Sequence, residues 1–310
     1  MSITKKILFS GISALAATVL LAPLHAQQTP APAKSQDAVS EKPNAKGFVS
    51  PEAAVAALCN ALRKNDSSDL IVVLGPDSRD LVHWTDDDND GMEEQRMTFV
   101  HNFDLMHRLV KEPDNTVALY VGPENWPLPI PIVQYQGAWY FDAGLGKQEV
   151  LYRRVGRNEM AALDISRVLI DAEKEYYDAA HRFTDKFESS ADAHDGLHWK
   201  SSDSNTRSPI GPYLAQAGVT DSIQNRRPFH GYFYRILLQA PVAPDSDATR
   251  STANHFAIVA FPAEYRSSGV MTFILQENGQ AFEKDLGPTT ASSAIQTTTA
   301  HPDNSWTKVD

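Results

Sequence analysis

Along this 310-residue chain, apolar residues keep helical spacing through one long stretch, switch to strand spacing, return to a single long helix, and switch again. A parallel sheet needs a helix between each pair of strands, whereas consecutive strands joined by short turns can only pair antiparallel. The pattern therefore predicts an α+β chain, with helices gathered beside antiparallel sheets. In the first half, Ser50 stands as an N-cap before Pro51, and Val55, Leu58, Cys59 and Leu62 share one face of a helix reaching about Lys64. Leu70, Val73 and Leu74 mark a second helix ended by Gly75-Pro76, and Phe99, Phe103, Met106 and Val110 mark a third over Glu93–Val110. Strand-like runs follow at Thr116–Val121 and Leu128–Tyr135, and Gln136-Gly137 turns the chain into Trp139-Tyr140-Phe141. Pro127, Pro129 and Pro131 alternate, so their missing donors would face one way, as on an edge strand. These elements predict a first domain over 48–150, helices cupped by a curved sheet in the manner of an NTF2-like cone.

The second half, 151–310, reads as one long helix laid on an antiparallel sheet. Asn158 is the expected N-cap of a helix over Glu159–His181, with Ile165, Leu169, Ala172 and Tyr176 on one face and Leu163, Ile170 and Tyr177 on another. A loop-rich segment holds a short helix near Pro212–Ala217. Strands are expected at Tyr232–Leu238, Phe256–Phe261, Val270–Leu275 and Ala281–Leu286, the last two joined by a two-residue turn at Asn278-Gly279.

The N-terminus directs where such a chain works. Lys5 and Lys6, the apolar run Ile7–Leu24 and the small Ala26 have the layout of a cleavable signal peptide over 1–26. Residues 27–47, with Pro30, Pro32 and Pro43 and no apolar period, read as a disordered linker. The expected destination is the periplasm or the outside, with no membrane attachment after cleavage, since no cysteine closely follows the leader. The chain's formal charge is −11, and losing Lys5 and Lys6 with the leader takes it to −13. Such a surface repels phosphate backbones, which excludes nucleic acid as a natural partner. The single cysteine, Cys59, has no partner for an internal disulfide and reads as a small buried hydrophobe.

Several words of sequence resemble a bacterial family called domain of unknown function 2950. They are Phe48-Val49-Ser50-Pro51-Glu52-Ala53-Ala54-Val55, Trp126-Pro127-Leu128-Pro129-Ile130-Pro131, Arg154-Val155-Gly156-Arg157-Asn158-Glu159, Asp195-Gly196-Leu197, Ser208-Pro209-Ile210-Gly211-Pro212, His230-Gly231-Tyr232-Phe233-Tyr234-Arg235 and Gly269-Val270-Met271-Thr272-Phe273. The resemblance implies export in Gram-negative bacteria and lends no catalytic residue. A weaker likeness of the second half, through Asp171–Tyr176, Gly231–Tyr234 and Ala260-Phe261-Pro262, is to the soluble part of type IV pilins and pseudopilins. That likeness implies a helix on a sheet.

Chemistry-bearing clusters are few. Asp86, Asp88 and Asp90 alternate before Gly91, as in a calcium loop, but the twelfth position, where a bidentate Glu would close the site, is Met97. Calcium is the one cofactor this pattern suggests, and a solvated turn is its competing reading. Asp192, His194, Asp195 and His198 carry the ligand types of a transition metal. Arg153, Arg154 and Arg157 precede the expected long helix, where an anion could sit or nearby acids could pair with them. Trp126, Tyr135, Trp139 and Tyr140 line either a ligand groove or a core. No nucleophile elbow, zinc-protease helix or phosphate loop is present. The reading is an exported, non-catalytic protein that binds an envelope partner or a small ligand. An envelope hydrolase with an acid pair or metal site assembled from loops is the alternative. For calcium, calorimetry should show heat of binding in the parent protein that Asp88→Ala loses; identical traces with and without calcium in the parent would dispose of the loop as a site.

Overall fold

The computed structural model describes residues 42–82, 89–190, 193–200, 207–239, 255–298 and 300–309. The expected leader, most of the expected linker, and Asp86 and Asp88 lie outside these. The linker's last residues are described, and Lys46 N–H donates to Val72 O at 3.2 Å.

The architecture is α+β, with two antiparallel sheets. In the first half, α1 (Pro51–Lys64) begins where Ser50 Oγ accepts from Ala53 N, and it ends at Asn65 with φ 53°. Then come α2 (Ser67–Leu74), capped by Asp66, a 3-10 turn at Pro76–Ser78, α3 (Arg79–Val82) and α4 (Asn89–Leu105). The strands β1 (His107–Lys111), β2 (Val117–Val121), β3 (Trp126–Pro127), β4 (Ile132–Tyr135) and β5 (Ala138–Phe141) follow. Their order across the sheet is β1-β2-β4-β5, with β3 pairing the other end of β2. Ala54, Val55, Leu58 and Cys59 of α1 pack with Leu119, Ile132 and Phe141 into one core.

Two expectations change here. The third helix stops at Leu105, and His107–Lys111 is strand rather than its last turn. The run through Val110 kept helical spacing, but β1 pairs five residues with β2, from His107↔Val121 to Lys111↔Val117. The proline-rich run is an edge only in part: among the described strands β3 pairs with β2 alone, whereas β4 lies between β2 and β5. Trp126 and Pro127 pair with Val121 and Tyr120, Ile132 pairs with Val117, and the chain between leaves the ladder. Prolines that cannot donate interrupt a strand lying between β2 and β5.

The second half opens with α5 (Ala143–Ala180), 38 residues long and about 57 Å from end to end at 1.5 Å per residue. Its N-cap is Asp142, which accepts from Leu145 N at 2.9 Å. Asn158, the expected cap, is interior. Positions 144, 146 and 156 are glycine and dilute the helical signal of the first turns. Residues 150 and 151 both lie inside this helix. After α6 (Pro212–Gln216) come β6 (Tyr232–Gln239), β7 (His255–Pro262), β8 (Met271–Gln276), β9 (Ala281–Asp285), a 3-10 turn at Gly287–Thr289, α7 (Thr290–Gln296) and β10 (Thr307–Val309). They form a meander in the order β10-β9-β8-β7-β6. One face packs Ala162, Leu169 and Tyr176 of α5 on Tyr232, Ile258 and Phe273. The other packs Phe233, Val259 and Ile274 on Ala294 of α7 and on Ala300.

A cluster of hydrogen bonds fixes how α5 crosses the sheet. Glu159 Oε1 accepts from Val270 N (2.9 Å) and Met271 N (3.0 Å), Asn158 Nδ2 donates to Ser268 O (2.8 Å), and Arg154 Nε donates to Ser267 O (3.2 Å). Tyr232 Oη donates to Met271 O from below. Three of the sequence words that carry the family resemblance therefore meet at one packed joint. At Gly231, φ is +75° and an added Cβ would lie 2.4 Å from Asn158 Nδ2. The β8–β9 turn spans three residues, 277–279, since Gln276 N donates to Gln280 O, and only Gly279 has positive φ. A two-residue turn of the expected kind would require positive φ at Asn278 as well.

These two glycines separate strain from collision. Gly279→Ala meets nothing within 4 Å and should cost about 1 kcal/mol, the penalty of the left-handed region alone. Gly231→Ala adds a clash with Asn158 and should cost upwards of about 2 kcal/mol. Urea unfolding of both variants measures the difference, and equal losses would contradict the tight joint.

Candidate functional site

Two of the concavities on the described surface are lined by residues singled out above. The larger, about 560 Å³, lies between the 188–200 segment and α6, lined by Glu188, Ser189, Ser190, His194, His198, Trp199, Lys200, Pro212 and Gln216. The smaller, about 270 Å³, lies between α1, α4 and β1.

The larger cleft is built from α5 outward. The helix buries a stripe at alternating steps of three and four, Ala162, Ser166, Leu169, Glu173 and Tyr176. Ser166 turns its hydroxyl to Ala162 O at 2.7 Å. Glu173 is fully buried; its Oε2 accepts from Thr184 N at 3.2 Å, and its Oε1 has no partner among the described residues. Burial pushes its carboxyl up to about 8, opposed by the Thr184 amide and reinforced by the nearby charge of Asp185. Thr184 Oγ1 donates in turn to Asp195 O, and Tyr176 Oη donates to His194 O at 3.3 Å. The helix thereby pins the segment that forms one wall. Sequence reading missed Glu173, because a carboxylate inside an apolar stripe looks like its solvent face.

The candidate metal ligands Asp195, His194 and His198 are not grouped as a ligand set among the described residues. Asp195 is tied to Lys186 and to Ser190, whose N–H donates to Oδ1 at 2.7 Å, and these contacts hold its carboxyl down at about 2. His198 Nδ1 lies 3.1 Å from Ile210 O and 3.2 Å from Ser208 Oγ. A carbonyl only accepts, so Nδ1 carries the proton and cannot act as base toward Ser208. His194 stacks on Trp199 with ring centres 4.6 Å apart. Asp192 lies outside the described residues, and among those described no three His, Cys, Asp or Glu side chains are grouped to hold a metal. Asp90 falls in the first turn of α4, and Asp86 and Asp88 lie outside the described residues. Two further sequence words, Asp195–Leu197 and Ser208–Pro212, meet here, with Ile210 N donating to Leu197 O at 3.3 Å.

The other candidates resolve into structure. Arg153 donates to Pro127 O at 2.7 Å and to Glu149 at 2.9 Å, and covers Trp126 with its guanidinium 5.7 Å from the ring centre. Arg154 donates to Ser267 O, and since the helix starts at Ala143, residue 159 is interior and offers no helix N-terminus to an anion. Tyr140 is in the core, while Trp126 stays 45% exposed. Cys59 is buried, and desolvation pushes its thiol up to about 12, which leaves it unreactive. An acid pair exists, Glu159 and Glu283, and burial together with Glu159 raises the Glu283 carboxyl. It sits at the packed joint, where Glu159 is already bound to two amides.

The family described as protein of unknown function (DUF2950) matches residues 45–309. The chain belongs to that family. The match covers both sheets, the joint and the cleft. No curated protein and no solved structure matches the chain. No described helix is long and apolar enough to cross a membrane.

Glu173 sets a pH dependence common to the fold and the cleft. A carboxyl raised in the folded state favours folding fully below the unfolded value near 4.5, and that contribution is lost as pH rises toward about 8. The parent protein should therefore lose roughly 2–4 kcal/mol between pH 5 and pH 9 relative to Glu173→Gln, which cannot ionise. Parallel stability curves for the two proteins over that range would show that the buried carboxyl does not titrate as described.

Proposed function

We propose that this member of the family is an exported, non-catalytic binding protein, and that the cleft between residues 188–200 and α6 receives a small polar ligand. The observation that carries the reading is the composition of the cleft wall. An aromatic His194–Trp199 pair offers a face for stacking, Lys200 and Gln216 offer hydrogen-bonding groups, and about 560 Å³ is the size of ordinary small-molecule sites. The hydroxyls and carboxylates beside it are committed to protein partners: Ser189 Oγ to Gly196 O, Ser190 Oγ to Asp195, and Glu188 to Arg226 from beyond α6. Such a wall holds a molecule without attacking it. Export rests on Lys5, Lys6, the apolar run Ile7–Leu24 and the cleavage position at Ala26, and it places the ligand in the periplasm or outside the cell.

Thermal-shift screening of monosaccharides, disaccharides, amino acids and nucleosides tests the reading. A binding member of the panel should raise the melting temperature, and Trp199→Ala should weaken that ligand at least tenfold with no loss of folding. Shifts that survive Trp199→Ala would move the site elsewhere. Turnover of peptidoglycan fragments or simple esters by the purified protein would replace binding with the hydrolase reading.

A further inference from the structure

The smaller concavity adjoins a strand whose outer edge is open. Gly122 N donates to Met106 O (2.8 Å) and Glu112 N donates to Thr116 O (2.9 Å). Antiparallel pairing alternates bonded and non-bonded residues, so the backbone groups of Arg108 and Val110, in phase with Met106 and Glu112, face β2. The N–H and C=O groups of His107, Leu109 and Lys111 then face away from the sheet. Among the described residues none of these groups has a hydrogen-bond partner.

The other sheet edges are managed differently. Phe48 and Trp139 exchange two bonds of 2.8 Å beyond β5, and Val219 and Ala217 bond Tyr234 beyond β6. The edge strand β10 is only three residues long. The β1 edge is five residues long, and its far face is held still: Arg108 donates to Asn125 at 2.8 Å and lies over Tyr120 at 4.3 Å.

The side chains of His107 and Leu109, the residues with outward-facing backbone, also line the hollow, together with Val55, Ala56, Cys59 and Phe103. His107 stacks on Phe103 at 3.8 Å with Nδ1 2.9 Å from Phe103 O, so its proton is on Nδ1 and the ring is fixed as a wall.

We infer that β1 and the hollow beside it bind an extended peptide, which adds a strand to the sheet and places one apolar side chain between α1 and β1. Main-chain pairing to an open edge supplies affinity, and a pocket for alternate side chains supplies selectivity. About 270 Å³ suits one leucine- to phenylalanine-sized group. The strand reads His107-Arg108-Leu109-Val110-Lys111, with two cations and no acid, in a chain of net charge −11, and the hollow adds one charge of each sign, Arg63 and Glu52. The peptide accordingly carries its acids beside the apolar anchor. This surface is independent of the cleft proposed above.

Random seven-residue peptides displayed on phage and selected on the purified protein test the inference. Enriched sequences should share an apolar residue with acids two or more positions away. Leu109→Pro removes an outward donor without removing a bond to β2, and Ala56→Trp fills the hollow from an exposed helix position; each should weaken a synthetic copy of the enriched peptide at least tenfold. N-methylation of alternate peptide amides should do the same, and Trp199→Ala in the cleft should have no effect. Unchanged melting temperature in either blocking variant shows that lost binding is not lost folding. No enrichment on the parent protein, or enriched peptides that bind equally to Ala56→Trp and in N-methylated form, would overturn the proposal.

Discussion

The grip of Glu159 on the amides of Val270 and Met271 is the contact from which the second half of the molecule takes its arrangement. A carboxylate accepting two backbone N–H groups is among the stronger hydrogen-bonding arrangements available, and Asn158 and Arg154 extend it along one helix face to Ser268 and Ser267. The β7–β8 turn is thereby docked to α5 at a single point. With that point and the helix axis set, the stripe running on from Glu159 through Ala162, Ser166 and Leu169 must face the sheet, and Glu173 and Tyr176 with it. Glu173 is then buried whether or not burial suits a carboxylate. Its remaining option is a donor from the returning chain, and Thr184 N supplies one. The loop that shapes the cleft starts from that bond, so the cleft geometry descends from the joint some fourteen residues away on the same helix.

Much of this was legible in the sequence where one physical effect acted alone. The buried strands Tyr232–Gln239 and His255–Pro262 carry apolar and β-branched residues on both faces, and helices cover both faces. Ser50-Pro51 starts a helix as local capping chemistry dictates. The failures came where two effects competed. Phe99, Phe103, Met106 and Val110 fit a helical face, yet the strand partner Val117–Val121 captures the last of them, because pairing with β2 satisfies backbone groups that a longer helix would leave at its end. The first fifteen residues of α5 contain three glycines and were unreadable as helix, but Gly146 is where α5 meets Ile130, an approach that an added Cβ would bring to 2.8 Å. In α7, Thr-Ala-Ser-Ser-Ala has little apolar period, and small Ala294, with Ala291 and Ile295 beside it, is enough to pack against the sheet. For the site, aromatic and histidine positions were visible and their roles were not. Whether His198 ligates a metal or donates to a carbonyl depends on Ile210, twelve residues on, whose nearness is a property of the fold.

Arginine has a consistent use in this acidic chain. Arg96 donates to Leu62 O at the end of α1, Arg235 to Ala294 O and Thr297 O at the end of α7, Arg153 to Pro127 O and Arg154 to Ser267 O. A guanidinium brings several donors in a rigid fork, so it can satisfy carbonyls that helix ends and broken strands leave over. Charge complementarity at a helix C-terminus adds to the bond. The positive side chains are thus drawn to seams between elements. Acids are drawn inward as well where backbone N–H groups meet them, at Glu159 and Glu173, and the net charge of −11 leaves the surface negative overall.

Against that surface the β1 edge stands out for its sign as well as its open backbone. An unpaired strand is a hazard, because a second copy of the same chain can extend the sheet. Here an antiparallel copy of His107–Lys111 would set Lys111 against His107 and Arg108 against Val110, so no pair of opposite charges lies directly across the contact. Five residues are also too few for a stable pairing of two copies without a buried face between them. The same features do not oppose a foreign strand bearing acids and one apolar anchor, since its charges are complementary and the hollow supplies the buried face that self-pairing lacks. Discrimination between self and partner therefore comes from complementary charges and a buried anchor that a foreign strand can bring and a second copy cannot.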